Sequence, residues 1–323
     1  MLPERRWIQV MKKNRLFRLF DDYLYNIWHL TKRNILIFFQ NKTTLVFSMM
    51  APVLILVIYI LFMGDFQINT IRGFIPEGQS VSDADIATVA NAWMISGILG
   101  ISSLTISLNS MFVAISDRER RIVDDFIASP VKLVNLTLSY FISAFIITLF
   151  LSFIFLIIAL VFLAISSGVT FSAANLFELF GILVLSSLSA VIFVMCLTSF
   201  FNHTSAAASF TGVFSALIGF LIGAYMPVSI LPLAIQNFAN LIPGSHATGL
   251  FRVVLMRPIL TKLEATMPFE VIEQIKTSYG FNLQLFNVQF DRTYMYLYLA
   301  GSVLSLFAIF QIISMIKKKI KVQ

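Results

Sequence analysis

The sequence predicts an all-α integral membrane protein with six transmembrane helices, an N-terminal amphipathic interfacial helix and a re-entrant outer hairpin after the fifth span. Three observations predict it. Of 323 residues, 58% are hydrophobic and 12% charged, with a mean hydropathy of +0.88, whereas a soluble domain carries about 25% charged residues. Six uncharged apolar runs reach the ~20 residues needed to cross ~30 Å of hydrocarbon. Seventeen of the 23 Lys and Arg then fall in the segments that a six-span topology places inside, which sets both termini in the cytoplasm.

The elements follow in order. Residues 1–42 form a basic, aromatic cytoplasmic arm with no cleavable leader expected. Within 21–42, Tyr23, Ile27 and Leu30, with Leu24, Trp28 and Ile35, recur at roughly helical spacing, which predicts a helix lying on the membrane surface. The spans are read at 43–63 (punctuated by Pro52), 93–115, 133–165, 179–201, 205–226 and 294–316. Residues 64–92 read as an outer loop, and 116–132 as a short cytoplasmic helix. The uncharged stretch after the fifth span is long enough for another crossing. However, Pro227, Pro232, Pro243, Asn237, Asn240, Ser245 and His246 break the helix and carry polar groups that lipid cannot satisfy. A further crossing would also put the Lys317–Lys321 cluster outside, so 227–293 reads as an outer hairpin followed by an extracellular segment. No internal repeat divides the chain, which reads as one domain over 1–323.

Charge distribution and absences narrow the function. The net charge of +7 gathers beside span ends, so nucleic acid is not the expected partner and membrane lipid is. No ionisable residue lies in the middle of any predicted span; Glu178 and His203 flank the fourth. A proton- or sodium-coupled carrier needs such groups. There is no G-x-x-x-x-G-K-[ST] phosphate loop, and three His with one Cys give no credible metal cluster. The single Cys196 excludes an intramolecular disulfide. No clustered His, Asp or Glu supports a membrane-enzyme reading, so no catalytic, cofactor or metal residue is assigned.

Two features remain. In the 116–132 segment, Asp117, Arg121 and Asp125 are successive i,i+4 neighbours on a helix. Arg120 pairs with Asp124 in the same way, each pair contributing ~0.2–0.5 kcal/mol. Ile122 and Phe126 form an apolar ridge beside them, and Ser129-Pro130 ends the helix. This describes either a solvated turn or a two-faced helix that docks a partner. Within the membrane, Ser96, Gly100, Ser103, Ser107 and Ser110 share one face of the second span. Ala207, Thr211, Ser215, Gly219 and Gly223 share one face of the fifth. Small residues at this spacing let helices approach closely; they are ordinary packing, a substrate route or a dimer seam.

Asp117-Arg118-Glu119-Arg120 runs into Phe126-x-x-Ser129-Pro130-Val131 after the second span. Met226-Pro227, Leu231-Pro232 and Leu241-Ile242-Pro243-x-x-His246 follow the fifth. Phe39-Gln40-Asn41-Lys42 leads into a first span holding Ala51-Pro52-Val53. In order and spacing these motifs resemble the permeases of ABC-2 type transporters across essentially the whole chain. The resemblance implies a type V exporter-like fold and a homodimer of permease copies in a bacterial plasma membrane. It also implies two copies of a separate ATPase subunit, which would carry ATP and Mg. The helix 117–129 would be the coupling helix, acting through Asp117, Arg118, Glu119, Arg121, Asp125 and Phe126, with the arm at 21–42 as a second contact. Alternating access would export an amphipathic drug, an antimicrobial peptide or a lipid-like cargo. A polysaccharide or teichoic-acid exporter, and a sensor or channel subunit that transports nothing, are the alternatives.

Overall fold

The computed structural model describes residues 23–76, 79, 81–286 and 288–322, with side chains up to 316. The basic arm before residue 23, Glu77 of the outer loop and the side chains of the C-terminal lysine cluster lie outside the described residues. Among those described, six helices are long and apolar enough to cross a membrane. The end of the bundle beside the 116–132 segment is termed inner, and the opposite end outer.

Helix α1 (23–40) turns Ile27, Leu30, Thr31, Asn34 and Phe38 onto the bundle, a spacing of three to four. Leu24, Tyr25 and Trp28 face away and are exposed, so α1 is apolar on two sides, one for the protein and one for lipid. Asn41 caps the next helix, accepting from Thr44 N at 3.1 Å. That helix, α2 (Lys42–Arg72), is the first span, with a π-helical turn at Tyr59–Met63. It ends nine residues beyond the expected Met63, because Gln67 and Ile71, one turn apart, are buried against the rest of the bundle. The outer loop expected at 64–92 therefore shrinks to about 73–82.

Helix α3 (Asp83–Ser110) is the centre of the molecule. Ser82 caps it and Asp83 and Asp85 occupy its first turn. Its 28 residues, ~42 Å long, exceed the bilayer, and the outer end pairs Asp85 with Lys262 at 2.6 Å. It is buried nearly all round, its small hydroxyl-bearing residues included, and packs chiefly on α2, on α6 (Leu133–Ser167) and on α10 (Pro243–Leu255). Met111 separates it from α4 (Phe112–Glu119), and α5 (Ile122–Ala128) follows.

The third span, α6, ends at Gly168, whose φ of +61° closes the helix. The fourth, α7 (Ala173–Thr198), begins six residues before the expected start, capped by Ser172. Glu178 thus lies within a helix, not beside one. The fifth, α8 (Thr204–Leu221), stops short of the expected Met226 because Gly223 takes a φ of +75° and the Ala224 N–H bonds back to Gly219 O at 2.8 Å. The sixth, α13 (Arg292–Val322), is capped by Asp291.

Between the fifth and sixth spans lie α9 (Leu233–Asn240) and then α10, in which every residue but Val253 is buried. The polar groups that argued against a lipid-facing helix find partners within the protein, although His246 Nδ1 and Asn240 Oδ1 have none among the described residues. Ser245 donates to Ala239 O at 2.6 Å, His246 Nε2 pairs with Asn240 O at 2.7 Å, and Asn240 donates to Gln284 O at 2.9 Å. Two outer helices, α11 (Arg257–Glu264) and α12 (Phe269–Ser278), precede an antiparallel hairpin absent from the sequence reading. Its strands β1 (Leu283–Leu285) and β2 (Val288–Phe290) pair Leu283 with Phe290.

Candidate functional site

The segment expected to be one helix over 117–129 is bent. Arg121 has a φ of +58°, so α4 ends at Glu119 and α5 leaves in a new direction. The i,i+4 ladder from Asp117 through Arg121 to Asp125, and from Arg120 to Asp124, does not form across the bend. The reason is that Asp117, Arg118 and Glu119 each have a partner elsewhere in the fold.

Asp117 is 3% exposed. Arg33 of α1 grips it through both guanidinium nitrogens, at 2.6 and 2.8 Å, and Tyr140 of α6 donates to it at 2.6 Å. This fork-on-fork pairing is the strong form of a charge-assisted hydrogen bond. The bond to the Asp117 carboxylate outweighs burial and holds Arg33 above its ordinary pKa. Asn34, next to Arg33, adds a bond to Ser139 at 3.3 Å.

Arg118 turns the other way. It donates to Ser199 O at 3.2 Å and to Phe201 O at 2.9 Å, covering the carbonyls at the C-terminal end of α7, where a cation is favoured. Glu119 accepts from the Thr204 backbone N–H at 3.0 Å and its hydroxyl at 2.6 Å, satisfying the first turn of α8. Three consecutive residues thus tie the bend to α1 and α6, to the end of α7 and to the start of α8.

The remaining predicted residues divide. Arg121 and Asp125 are exposed, together with Arg120, Asp124, Ile127 and Pro130. Phe126 is half-buried beneath Arg33, whose guanidinium carbon lies 5.8 Å from the ring centroid, a cation–π contact. Sequence reasoning missed Arg33, Tyr140 and Thr204 because each is remote in the chain from its partner. The one usable signal was Arg33 standing on the face of α1 that also carries Leu30 and Asn34.

The two small-residue stripes separate. In α3, Ser96, Ser103 and Ser107 are buried within the protomer. Ser103 accepts from Ser186 of α7 at 3.1 Å, and Ser107 shares a hydrogen bond with Thr148 of α6 at 3.1 Å. A Cβ added at Gly100 would overlap the Thr248 hydroxyl of α10. These residues pack the chain's own helices against one another.

In α8, Thr211 and Ser215 face a cleft of about 590 Å³ between α8 and α2. Phe47, Met50 and Leu54 form its α2 wall, Asn109 and Phe112 its floor, and Tyr225 closes the outer end. No charged residue lines it. Gly219 lies under the Tyr225 ring and Gly223 is the left-handed stop of the helix.

A second hollow of about 400 Å³ lies at the outer end, bordered by Arg257, Lys276, Arg292, Glu264 and Glu273. Its charges are paired within the chain, Arg257 and Arg292 with Glu178 and Lys276 with both glutamates. Among the described residues no group of His, Cys, Asp and Glu has metal-binding geometry.

The family model described as ABC-2 type transporter matches residues 25–256. The match begins within α1, includes the bend and both stripes, and ends at the C-terminus of α10. No curated protein matches the chain.

Proposed function

This chain belongs to the ABC-2 type transporter family and is a transmembrane component of an ABC transporter, and on that premise we propose that it is the permease subunit of an ATP-driven exporter. A homodimer of this chain would work with two copies of a separate ATPase subunit in a bacterial plasma membrane, with both termini in the cytoplasm. ATP hydrolysis would be the partner's chemistry, so this chain has only to receive a movement and open a path.

The observation that carries the reading is the triple anchorage of the bend. The exposed side of α5, with Asp124, Asp125 and Ile127, is free to meet a partner. Its other side continues into Asp117, Arg118 and Glu119, which are bonded to four other helices. A push on α5 therefore reaches α1, α6, α7 and α8 together. Displacement of α8 relative to α2 would change the width of the cleft between them. This division revises the roles expected of the six residues: Asp125 and Arg121 dock, Asp117, Arg118 and Glu119 transmit, and Phe126, packed beneath Arg33, joins the two.

The cleft supports an amphipathic cargo. Its walls are apolar with scattered hydroxyls and carry no charge, which suits a drug, a peptide with an apolar face or a lipid-like molecule.

The test is co-purification of the tagged chain in mild detergent with mass spectrometry of its companions. A stoichiometric ATPase is expected. Asp125→Arg should release it, or abolish cargo-stimulated hydrolysis, without shifting the melting temperature of the permease. A chain that purifies alone, or an Asp125→Arg variant that transports normally, would overturn the reading.

A further inference from the structure

Arg252 is the most deeply buried cation of the described residues, 1% exposed on α10 at the outer end of the bundle. No carboxylate among the described residues pairs with it. One Nη donates to the Gly223 carbonyl, while the Nε–H has no protein acceptor. The guanidinium lies 5.4 Å above the ring of Trp93 in α3, whose indole N–H also has none. Trp93 meets Tyr279 edge-on at 5.4 Å, and Tyr279 is bonded to Gln67 Oε1, leaving Gln67 Nε2 without an acceptor.

The orphaned atoms of this connected cluster are all donors, and its centre carries a full positive charge. A buried cation is strongly disfavoured unless something of opposite charge meets it. Partial compensation comes from two helix C-termini, α8 ending at Gly223 and α12 ending at Gly280, both with a φ of +75°. These glycines are required for room: an added Cβ would stand 3.0 Å from one Nη and 2.6 Å from the other. Both helix ends face the Nη side of the guanidinium, and the Nε edge remains unmet.

We propose that the Nε edge of Arg252, with the indole N–H of Trp93 as second donor, binds a small monatomic anion, chloride under ordinary conditions. Burial on all sides selects the smallest common anion over a carboxylate or an oxyanion. The bound ion would fasten α3 to α10 at the outer end of the bundle, through the Trp93 N–H and the Arg252 Nε–H. The proposal is independent of what the transporter carries.

The full-length chain, purified into nanodiscs, is melted in sodium chloride, sodium bromide and sodium gluconate at equal ionic strength. The melting temperature should be about 2–5 °C higher in either halide, rising to a plateau with concentration. Anomalous scattering from bromide-grown crystals should place the ion beside Arg252. Trp93→Phe keeps an aromatic ring on the buried face of α3 and deletes the N–H together with the pyrrole half of the indole. It lowers melting in gluconate through the cavity it leaves, and should in addition raise the half-saturating halide concentration about tenfold, the loss of one hydrogen bond to a charge. Identical melting in halide and gluconate would overturn the proposal. A halide response untouched by both Trp93→Phe and Arg252→Lys would do the same.

Discussion

Helices α3 and α8 both carry small residues at helical spacing, at 96, 100, 103 and 107 in one and at 207, 211, 215 and 219 in the other, yet the fold surrounds one and leaves the other open. The most apolar 18-residue window of α3 is 89% buried, and that of α8 is 17% buried. Around α3 the small side chains let α6, α7 and α10 approach until an extra methyl has no place, and their hydroxyls bond from helix to helix. Along α8 the two ends of the stripe, Ala207 and Gly219, are buried, whereas its middle is open: Thr211 and Ser215 border the cleft, and a Cβ added at the neighbouring Gly212 would meet nothing within 4 Å. In a membrane, helices gain no hydrophobic energy by leaving lipid for one another, so small residues mark the possibility of close approach without saying which partner uses it. The fold makes α3 the buried axis of the bundle and leaves α8 on its periphery.

Substitutions can break this comparison. The largest effect is expected of Gly100→Val, which forces two methyl groups onto Thr248 and should cost ~3 kcal/mol or more, leaving little monodisperse protein on size exclusion. Gly212→Val should fold and melt within about 1 °C of the parent. Equal tolerance at the two positions would remove the distinction. Asp117→Asn, at the inner continuation of the buried axis, leaves the partly buried Arg33 without its charge partner. It should cost about 2–3 kcal/mol in thermal melting, and Arg33→Lys less, since the charge stays and the two-pronged geometry is lost. Ser186→Ala removes one interhelical hydrogen bond and should cost ~0.6 kcal/mol, measurable by steric-trapping or denaturant titration. Ser215→Trp, which fills the cleft beside α8, should leave stability within about 0.5 kcal/mol and reduce cargo transport at least tenfold. Normal transport by that variant would show that cargo does not pass between α2 and α8.

The six spans were legible because each rests on a long uncharged run, and the crossing of lipid demands little else of sequence. Their ends were less so. The outer extension of α2 carries Asp65, Gln67, Asn69 and Arg72, which lower any average hydropathy, although Gln67 and Ile71 are spaced to bury one face. The hairpin at 283–290 alternates Leu283-Gln284-Leu285 with Val288-Gln289-Phe290, a period of two that is visible in retrospect but only three residues long. At the candidate site, the residue types were read from the sequence and their directions were not. Asp117 and Asp125 look equivalent on a helical wheel, and what separates them is an arginine 84 residues earlier in the chain. Arg252 falls in the stretch expected to be an outer segment, and nothing local to α10 announces that Gly223 and Gly280 will close around it.

Arg121 carries one more consequence. A non-glycine residue in the left-handed region costs about 1–2 kcal/mol, and nothing in Arg120-Arg121-Ile122 favours that conformation locally. Cut out as a peptide, residues 112–130 would relax towards one straight rod, regaining the Asp117–Arg121–Asp125 ladder that the bundle forbids. In the protein the rod is held cocked by Arg33, by the carbonyls of Ser199 and Phe201 and by Thr204. The seven residues of α5, about 10 Å of helix, thus owe their direction to contacts made by other residues, those of α4. A partner that loosens any one of the three tethers lets that direction change.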